Sequence, residues 1–386
     1  MSTKITKIET FRVPPRWLFV RVETDDGLVG WGEGTLEGHT EAIEGAFEDL
    51  RERFIGWDSN KIEEIWQKAY RQRFYRGGPV LMSALSGLDI ALWDIKGKRL
   101  NVPVYELLGG RIRDRVQVYG WIGGDRPSNV QSAAAERVKQ GFTAVKMNAT
   151  ESIGWIDSAS KLKDTVERLR LVKETGIDAG LDFHGRLHKG MAKQLAKLLE
   201  PHEPLFIEEP LLPENVDGFK HLYAQTTVPI ATGERLYTRW DVKRYLEDGS
   251  IDIIQPDIAH AGGISETKKI AMLAEAYDVA VAPHCPLGPI ALAASLHIDL
   301  TSINFSIQEM SIGMHYNKLA NGGKFDLLSY VNDPQVFDIN NGYIEAFTKP
   351  GLGIDVNEEL VRKLSKDEKA WRNPQFVGPD GGIREW

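Results

Sequence analysis

The sequence predicts an α/β protein: a TIM-type barrel of parallel strands, preceded by a smaller α+β domain. Three observations carry this. From Gln117 onward, short apolar runs alternate with helix-like stretches. Before that point the order differs, with strand-like alternation first and helical periodicity after it. Finally, Asp182, Glu208 and Glu234 recur at intervals of 26 residues, each closing a short apolar run (DAGLD, LFIE, VPIATGE). Repetition at that interval is one strand–helix unit after another, and barrel strands gather their C-terminal ends on one face.

Taken in order, KITKIETFRV and WLFVRVETDDGLVGWGEG alternate apolar and polar residues around a DDG turn, as antiparallel strands do. HTEAIEGAFEDLRERFIG, NKIEEIWQKAY and VLMSALSGLDIALWDIKGKRLN then read as helices. This bounds an α+β domain at residues 1–116. The barrel runs over residues 117–325, with strands at QVYGW, TAVKMN, DAGLD, LFIEE, VPIATG, IDIIQPD, VAVAPH and INFSIQE. Stretches such as SNVQSAAAERVKQG and MAKQLAKLLEPH supply helices between them. Residues 326–386 are turn-rich and are expected to pack partly back on the N-terminal domain.

A length of 386 residues, 42% hydrophobic content and 26% charged content suit a globular enzyme. The net charge of −8 argues against a nucleic-acid partner, although a bound metal can still draw a small anion. Cys285 is the single cysteine, which excludes an intrachain disulfide and fits a reducing compartment. No apolar run approaches membrane-span length and MSTKITKIET lacks the apolar core of a signal peptide, so no membrane partner and a cytoplasmic location are expected. The glycine pairs at 77–78 and 262–263 do not match a phosphate-binding fingerprint.

Three carboxylates around one point cannot all stay ionised without a cation, because each raises the others' pKa. Oxygen-only ligation by Asp182, Glu208 and Glu234 favours Mg²⁺. Glu209 points to the opposite face if the strand continues, and reads as a salt-bridge partner. His184, two residues after Asp182, shares its face while the chain stays extended. It is a general acid or a fourth ligand, and three hard oxygens already present favour the acid. Asp257 and His284 end neighbouring strands, close enough to hydrogen-bond as a carboxylate-backed base. Glu309 ends the last strand and can support a developing oxyanion. Lys146 and Asn148 end the second strand, so the second place of a lysine pair is held by asparagine. Substrate contacts are expected there and in the N-terminal loops at Arg16, Tyr75 and Arg76. Cys285 and the remaining histidines, His39, His260 and His315 among them, default to structural or surface roles.

SGLDIALWDIKGK, PVYELLGG, the acidic series, Asp257–His284, Glu309 and PGLGI together resemble the enolase superfamily, mandelate racemase-type subgroup. FYRGGPVLMSALSGLDIALWDIKGK, WIGGDRP, LDFHGR, PLFIEEP, QPDIAHAGGI, APHCPLGPIALAASLHID and MHYNK narrow the resemblance to sugar-acid dehydratases. It implies a capping α+β domain over a modified (β/α)7β barrel, Mg²⁺ on the three acids, His184 as acid, and His284 as base with Asp257 behind it. It further implies dehydration of an aldonate, galactonate first, by a homo-oligomer. Gluconate or a related acid, or racemisation of an α-hydroxy acid, are the alternatives.

Overall fold

The structure, a computed structural model, describes residues 3–72, 74–123, 129–314 and 325–386. Gly124 to Pro127 of WIGGDRP, Ser128, and His315 to Lys318 of MHYNK lie outside them.

The N-terminal sheet is antiparallel in the order β1 (Ile5–Val13), β2 (Trp17–Thr24), β3 (Val29–Glu33). Against it lie α1 (Thr40–Phe54), α2 (Ile62–Arg71) and α3 (Gly78–Leu100). Glycine alternates along β3 because that strand lies directly on α3. A Cβ at Gly30 or Gly32 would run into the carbonyls of Ala91 and Gly87. Helix α3 is apolar nearly all round for the same reason, packed by β3 on one side and a barrel helix on another. It is the one helix among the described residues long and apolar enough to cross a membrane, and most of that stretch is buried in the protein.

After the short α4 (Val104–Leu107) the barrel begins. Its strands are β4 (Arg115–Ile122), β5 (Ala144–Asn148), β6 (Asp178–Asp182), β7 (Ile207–Glu208), β8 (Ile230–Thr232), β9 (Ile253–Ile254), β10 (Ala280–Val281) and β11 (Gln308–Met310). Between consecutive strands lie α5 (Val130–Lys139), α6 (Ala159–Lys173), α7 (Lys189–Leu199), α8 (Val216–Tyr223), α9 (Arg239–Asp248), α10 (Gly263–Glu275) and α11 (Pro289–Thr301). Seven strand–helix units and a last strand make the (β/α)7β arrangement. The sheet runs β10-β9-β8-β7-β6-β5-β4-β11, all parallel, and a bridge between Val281 and Phe305 joins its two ends. Apolar side chains on both strand faces fill the interior and meet the helices, as a covered parallel sheet requires.

Register brings the chemistry together. Asn148 pairs with Asp182 and Asp182 with Glu208, so three polar residues lie side by side at the ends of β5, β6 and β7.

Buried carboxylates tie the N-terminal elements to the barrel. Glu33 accepts from the N–H groups of Gly288 (2.8 Å) and Ala291 (3.0 Å), capping α11. Asp89 on α3 accepts from Ser265 N–H (3.0 Å) and its hydroxyl (2.6 Å) at the start of α10. The C-terminal segment carries β12 (Tyr343–Glu345), antiparallel to β4, and α12 (Glu358–Leu364). It reaches back to the first strands through Tyr330 hydroxyl to Pro14 carbonyl (2.6 Å) and Arg362 to Glu9 (3.1 Å).

Burial pushes Glu33 up to about 7 from an ordinary 4.5, and Asp89 up to about 7 from 3.8. A carboxyl raised by folding stabilises fully below its unfolded value and loses that contribution as pH rises through its folded value. The contribution of Glu33 and Asp89 to stability should therefore decline as pH rises from about 4 to about 7. Glu33→Gln should flatten part of that slope. Glu33→Ala, leaving two helix N–H groups without an acceptor, should cost about 2 kcal/mol by denaturant unfolding. A Glu33→Ala midpoint equal to wild type would refute the capping role.

Candidate active site

Asp182 and Glu208 are the last residues of β6 and β7 and are fully buried. Glu234 lies two residues past β8, after Gly233. That glycine sits at φ 141°, and a Cβ there would lie 2.7 Å from the Gln255 backbone, so only glycine lets the chain turn here. One oxygen from each of Asp182, Glu208 and Glu234 lies within 4.8 Å of the others. Asp182 Oδ2 and Glu234 Oε2 are buried and accept no hydrogen bond among the described residues.

Lys146 on β5 is the cation the chain itself supplies. Its Nζ lies 2.6 Å from Glu208 Oε1, 3.1 Å from Glu309 Oε1 and 3.3 Å from Asp182 Oδ2. One ammonium does not neutralise this many acids. Burial and Asp182 hold Glu208 well above its ordinary value, and burial holds Glu234 up at about 8. Asp182 alone stays low, at about 2: burial opposes ionisation there, but His184 and Lys146 outweigh it. Ionising all three requires more positive charge, and an all-oxygen set buried at one point fits a hard divalent cation. Glu209 pairs with Arg235, the salt-bridge role expected of it, although β7 ends at Glu208 and Glu209 turns at φ 40°.

Asp257 and His284 lie three residues beyond β9 and β10. His284 Nδ1 is 2.7 Å from Asp257 Oδ2, and the carboxylate's other oxygen accepts from Ala259 N–H at 2.7 Å. His284 Nε2 is 3.1 Å from Glu234. Burial lowers His284, but Glu234 and Glu309 overcome it and raise the ring well above its ordinary value.

His184 differs from the extended residue the sequence suggests. β6 stops at Asp182 and His184 turns at φ 51°, its N–H donating to Asp182 Oδ1 (2.9 Å). Its ring still arrives beside the acid, with Nε2 3.3 Å from Asp182 Oδ2. Burial holds it well below its ordinary value. Glu309 is fully buried, accepting from Trp121 Nε1 and from Cys285 N–H (2.8 Å), so both oxygens are engaged.

A cavity of about 290 Å³ opens beside these groups. That is near the lower bound for small-molecule sites and suits a ligand the size of a six-carbon acid. Asn148, His184, Glu234 and His284 line it, as does Arg16 from the N-terminal loop. Lys146 does not; it is spent on the carboxylates behind the wall. Tyr75 and Arg76 also fall outside it. Tyr75 is 84% exposed and Arg76 stacks over Tyr70, and it is Pro79 in the first turn of α3 that reaches the cavity instead. The walls include residues that sequence reasoning does not single out: Glu37 and His39 after β3, His260 after Asp257, and Asn373 and Trp386 from the C-terminal segment. His260, three residues beyond Asp257, had a signal in that spacing; the remote residues had none.

Residues 129–360 match the family described as enolase C-terminal domain-like, and residues 8–109 match the mandelate racemase / muconate lactonizing enzyme N-terminal domain. The chain belongs to the mandelate racemase / muconate lactonizing enzyme family of the enolase superfamily. It is 52% identical to proteins named D-galactonate dehydratase from Verminephrobacter eiseniae and from Pectobacterium atrosepticum, over 99% of this chain and 100% of each relative. Among solved structures it is similar to an enolase from Agrobacterium radiobacter, provisionally called a galactarate dehydratase, bound to sodium and L-malate. The TM-score is 0.89 at 33% identity, over 99% of this chain and 100% of the other.

Divalent cations titrated into chelator-treated protein should raise its thermal midpoint. Asp182→Asn, Glu208→Gln and Glu234→Gln should each weaken cation affinity by more than the roughly 10–100-fold that loss of an outer-shell partner costs. Unchanged affinity in all three variants would exclude this group as the cation site.

Proposed function

We propose that this protein is a Mg²⁺-dependent lyase that dehydrates an acid sugar, D-galactonate, to the 2-keto-3-deoxy acid. The observation that carries the reading is two imidazoles, His184 and His284, lining one cavity with Glu234 of the carboxylate group. Identity of 52% along the whole length to relatives named D-galactonate dehydratase supports the substrate. The reading also takes residues 1–116 as a cap over the barrel and the enzyme as cytoplasmic. It takes the assembly as a homo-oligomer, with the exposed Phe74 and Tyr75 rings available for contacts between copies.

The proton next to a carboxylate is a very weak acid, because its removal puts a second negative charge on the anion. Enolase-superfamily sites meet this difficulty by pairing a Lys or His base with Mg²⁺, which stabilises the ene-diolate. Asp182, Glu208 and Glu234 would hold the cation, which would supply charge neutralisation for the substrate carboxylate and offset the pull of Glu234 on His284.

His284 then takes the α-proton, oriented by Asp257 through Nδ1. The electron pair left behind expels the β-hydroxyl as the C–O bond breaks. His184 gives that hydroxyl a proton, water leaves, and the enol tautomerises to the keto acid. His184 must carry this proton in the substrate complex, where the negative charge of the substrate raises a neighbouring imidazole. Asn148 and Arg16 line the cavity as candidates to hold hydroxyl groups.

With Mg²⁺ and a library of acid sugars, including D-galactonate, gluconate and galactarate, 2-keto acid should form from D-galactonate. Formation from no aldonate would end the dehydratase reading. His284→Asn should lose α-proton exchange in deuterated water by roughly 10²–10⁴-fold. His184→Asn should lose dehydration while exchange stays measurable, and equal loss of both would remove His184 as the leaving-group acid.

A further inference from the structure

His184 is an unusually placed imidazole. It sits on a turn at φ 51°, and its Nδ1 is buried without a hydrogen-bond partner among the described residues. Besides Asp182 Oδ2, 3.3 Å from Nε2, two aromatic rings flank it. Trp121 lies nearly parallel to it, with centroids 6.0 Å apart and planes at 24°. Trp386 meets it edge-on at 5.4 Å and 85°.

Trp386 reaches this position through a built connection. Its segment folds back on itself, with Arg384 N–H donating to Phe376 carbonyl (3.0 Å) and Gly378 N–H to Gly382 carbonyl (2.8 Å). The Arg186 guanidinium, two residues after His184, stacks over both Phe376 (5.6 Å) and Trp386 (5.9 Å). Arg186 is itself held by Thr150 carbonyl at 2.9 Å and is 2% exposed. A guanidinium over two rings is a cation–π clamp, and it ties the loop carrying His184 to the segment carrying Trp386. The Trp386 ring lines the same cavity as His184, Asn148, Glu234 and His284. Its indole N–H is buried and finds no acceptor among the described residues, although a buried tryptophan usually pairs that group.

We infer that Trp386 is a positioning and substrate-contact residue: its ring fixes the orientation of the His184 imidazole, and its indole N–H donates to a hydroxyl of the bound acid sugar. This rests on the dehydratase reading. The two roles separate in two variants. Trp386→Phe keeps a ring against His184 and removes the N–H, whereas Trp386→Ala removes both.

The experiment follows D-galactonate with saturating Mg²⁺ in deuterated water, measuring keto-acid formation and deuterium uptake at the α-carbon of recovered substrate. Galactonate affinity is measured in parallel on the His284→Asn background. Trp386→Ala should lower dehydration by about 100-fold, the loss expected when a reacting group is misplaced by about 1 Å. Exchange, which depends on His284, should fall far less, so the exchange-to-dehydration ratio rises. Trp386→Phe should keep the wild-type ratio and raise KM and Kd by about 3–10-fold, the loss of one hydrogen bond. Equal loss of exchange and dehydration in Trp386→Ala, or no loss, would overturn the positioning role. An unchanged KM and Kd in Trp386→Phe would overturn the contact role. Should Trp386→Ala fail to fold by thermal unfolding, Trp386→Leu, which fills the space without an aromatic edge, serves for the same comparison. Wild-type enzyme that makes no keto acid refutes the dehydratase reading and this inference with it. Wild-type turnover with unaltered variants refutes the role of Trp386 alone.

Discussion

Like charge buried at one point is the constraint on which the rest of this structure depends. Asp182, Glu208 and Glu309 surround a single ammonium, Lys146, and Glu234 joins Asp182 and Glu208 at the mouth of the barrel. Burial makes ionisation costly for Asp182, Glu208 and Glu234, and repulsion among them adds to that cost. Hence Asp182 stays ionised while Glu208 and Glu234 are driven up. A protein does not gather acids this way for stability, since replacing buried charge with apolar packing is often neutral or stabilising. The arrangement makes sense as a cation site whose ligands are held ready by the strand ends.

The fold is organised to keep that cluster fixed. Parallel strands in register bring Asn148, Asp182 and Glu208 side by side, and Gly233 bends the chain so that Glu234 joins them. The N-terminal sheet and its helices are fastened over the barrel by Glu33 and Asp89, each capping a barrel helix. The cavity thus has barrel residues as its floor and N-terminal and C-terminal residues as its walls. In the proposed reaction proton movement belongs to His184 and His284, and Asn148 from the barrel and Arg16 from the N-terminal loop are the candidates to grip hydroxyls.

Much of this was legible in the sequence, and the reasons differ by residue. All eight barrel strands were visible because a covered parallel strand is a short apolar run between helical stretches. Asp182, Glu208 and Glu234 showed in their common interval, and the pairing of Asp257 with His284 followed from neighbouring strands. Strand ends were less legible, since Glu234, Asp257 and His284 lie two or three residues past the hydrogen-bonded ladder. The turn at His184 was invisible because a positive φ at a non-glycine residue leaves no pattern. Tyr75 and Arg76 were misdirected for another reason: closeness in sequence to the cap does not say which way a loop turns. Trp386 and Asn373 return to the cavity from far along the chain, and tertiary return leaves no periodic trace.

The most direct test is crystallographic. Crystals grown with Mn²⁺, which accepts the same carboxylate ligands as Mg²⁺, can be measured for anomalous scattering near the manganese absorption edge. One strong peak should appear in the barrel mouth, bounded by an oxygen from each of Asp182, Glu208 and Glu234. No peak there, or a peak held by other residues while these three carboxylates bond only to the protein, would contradict the cation site.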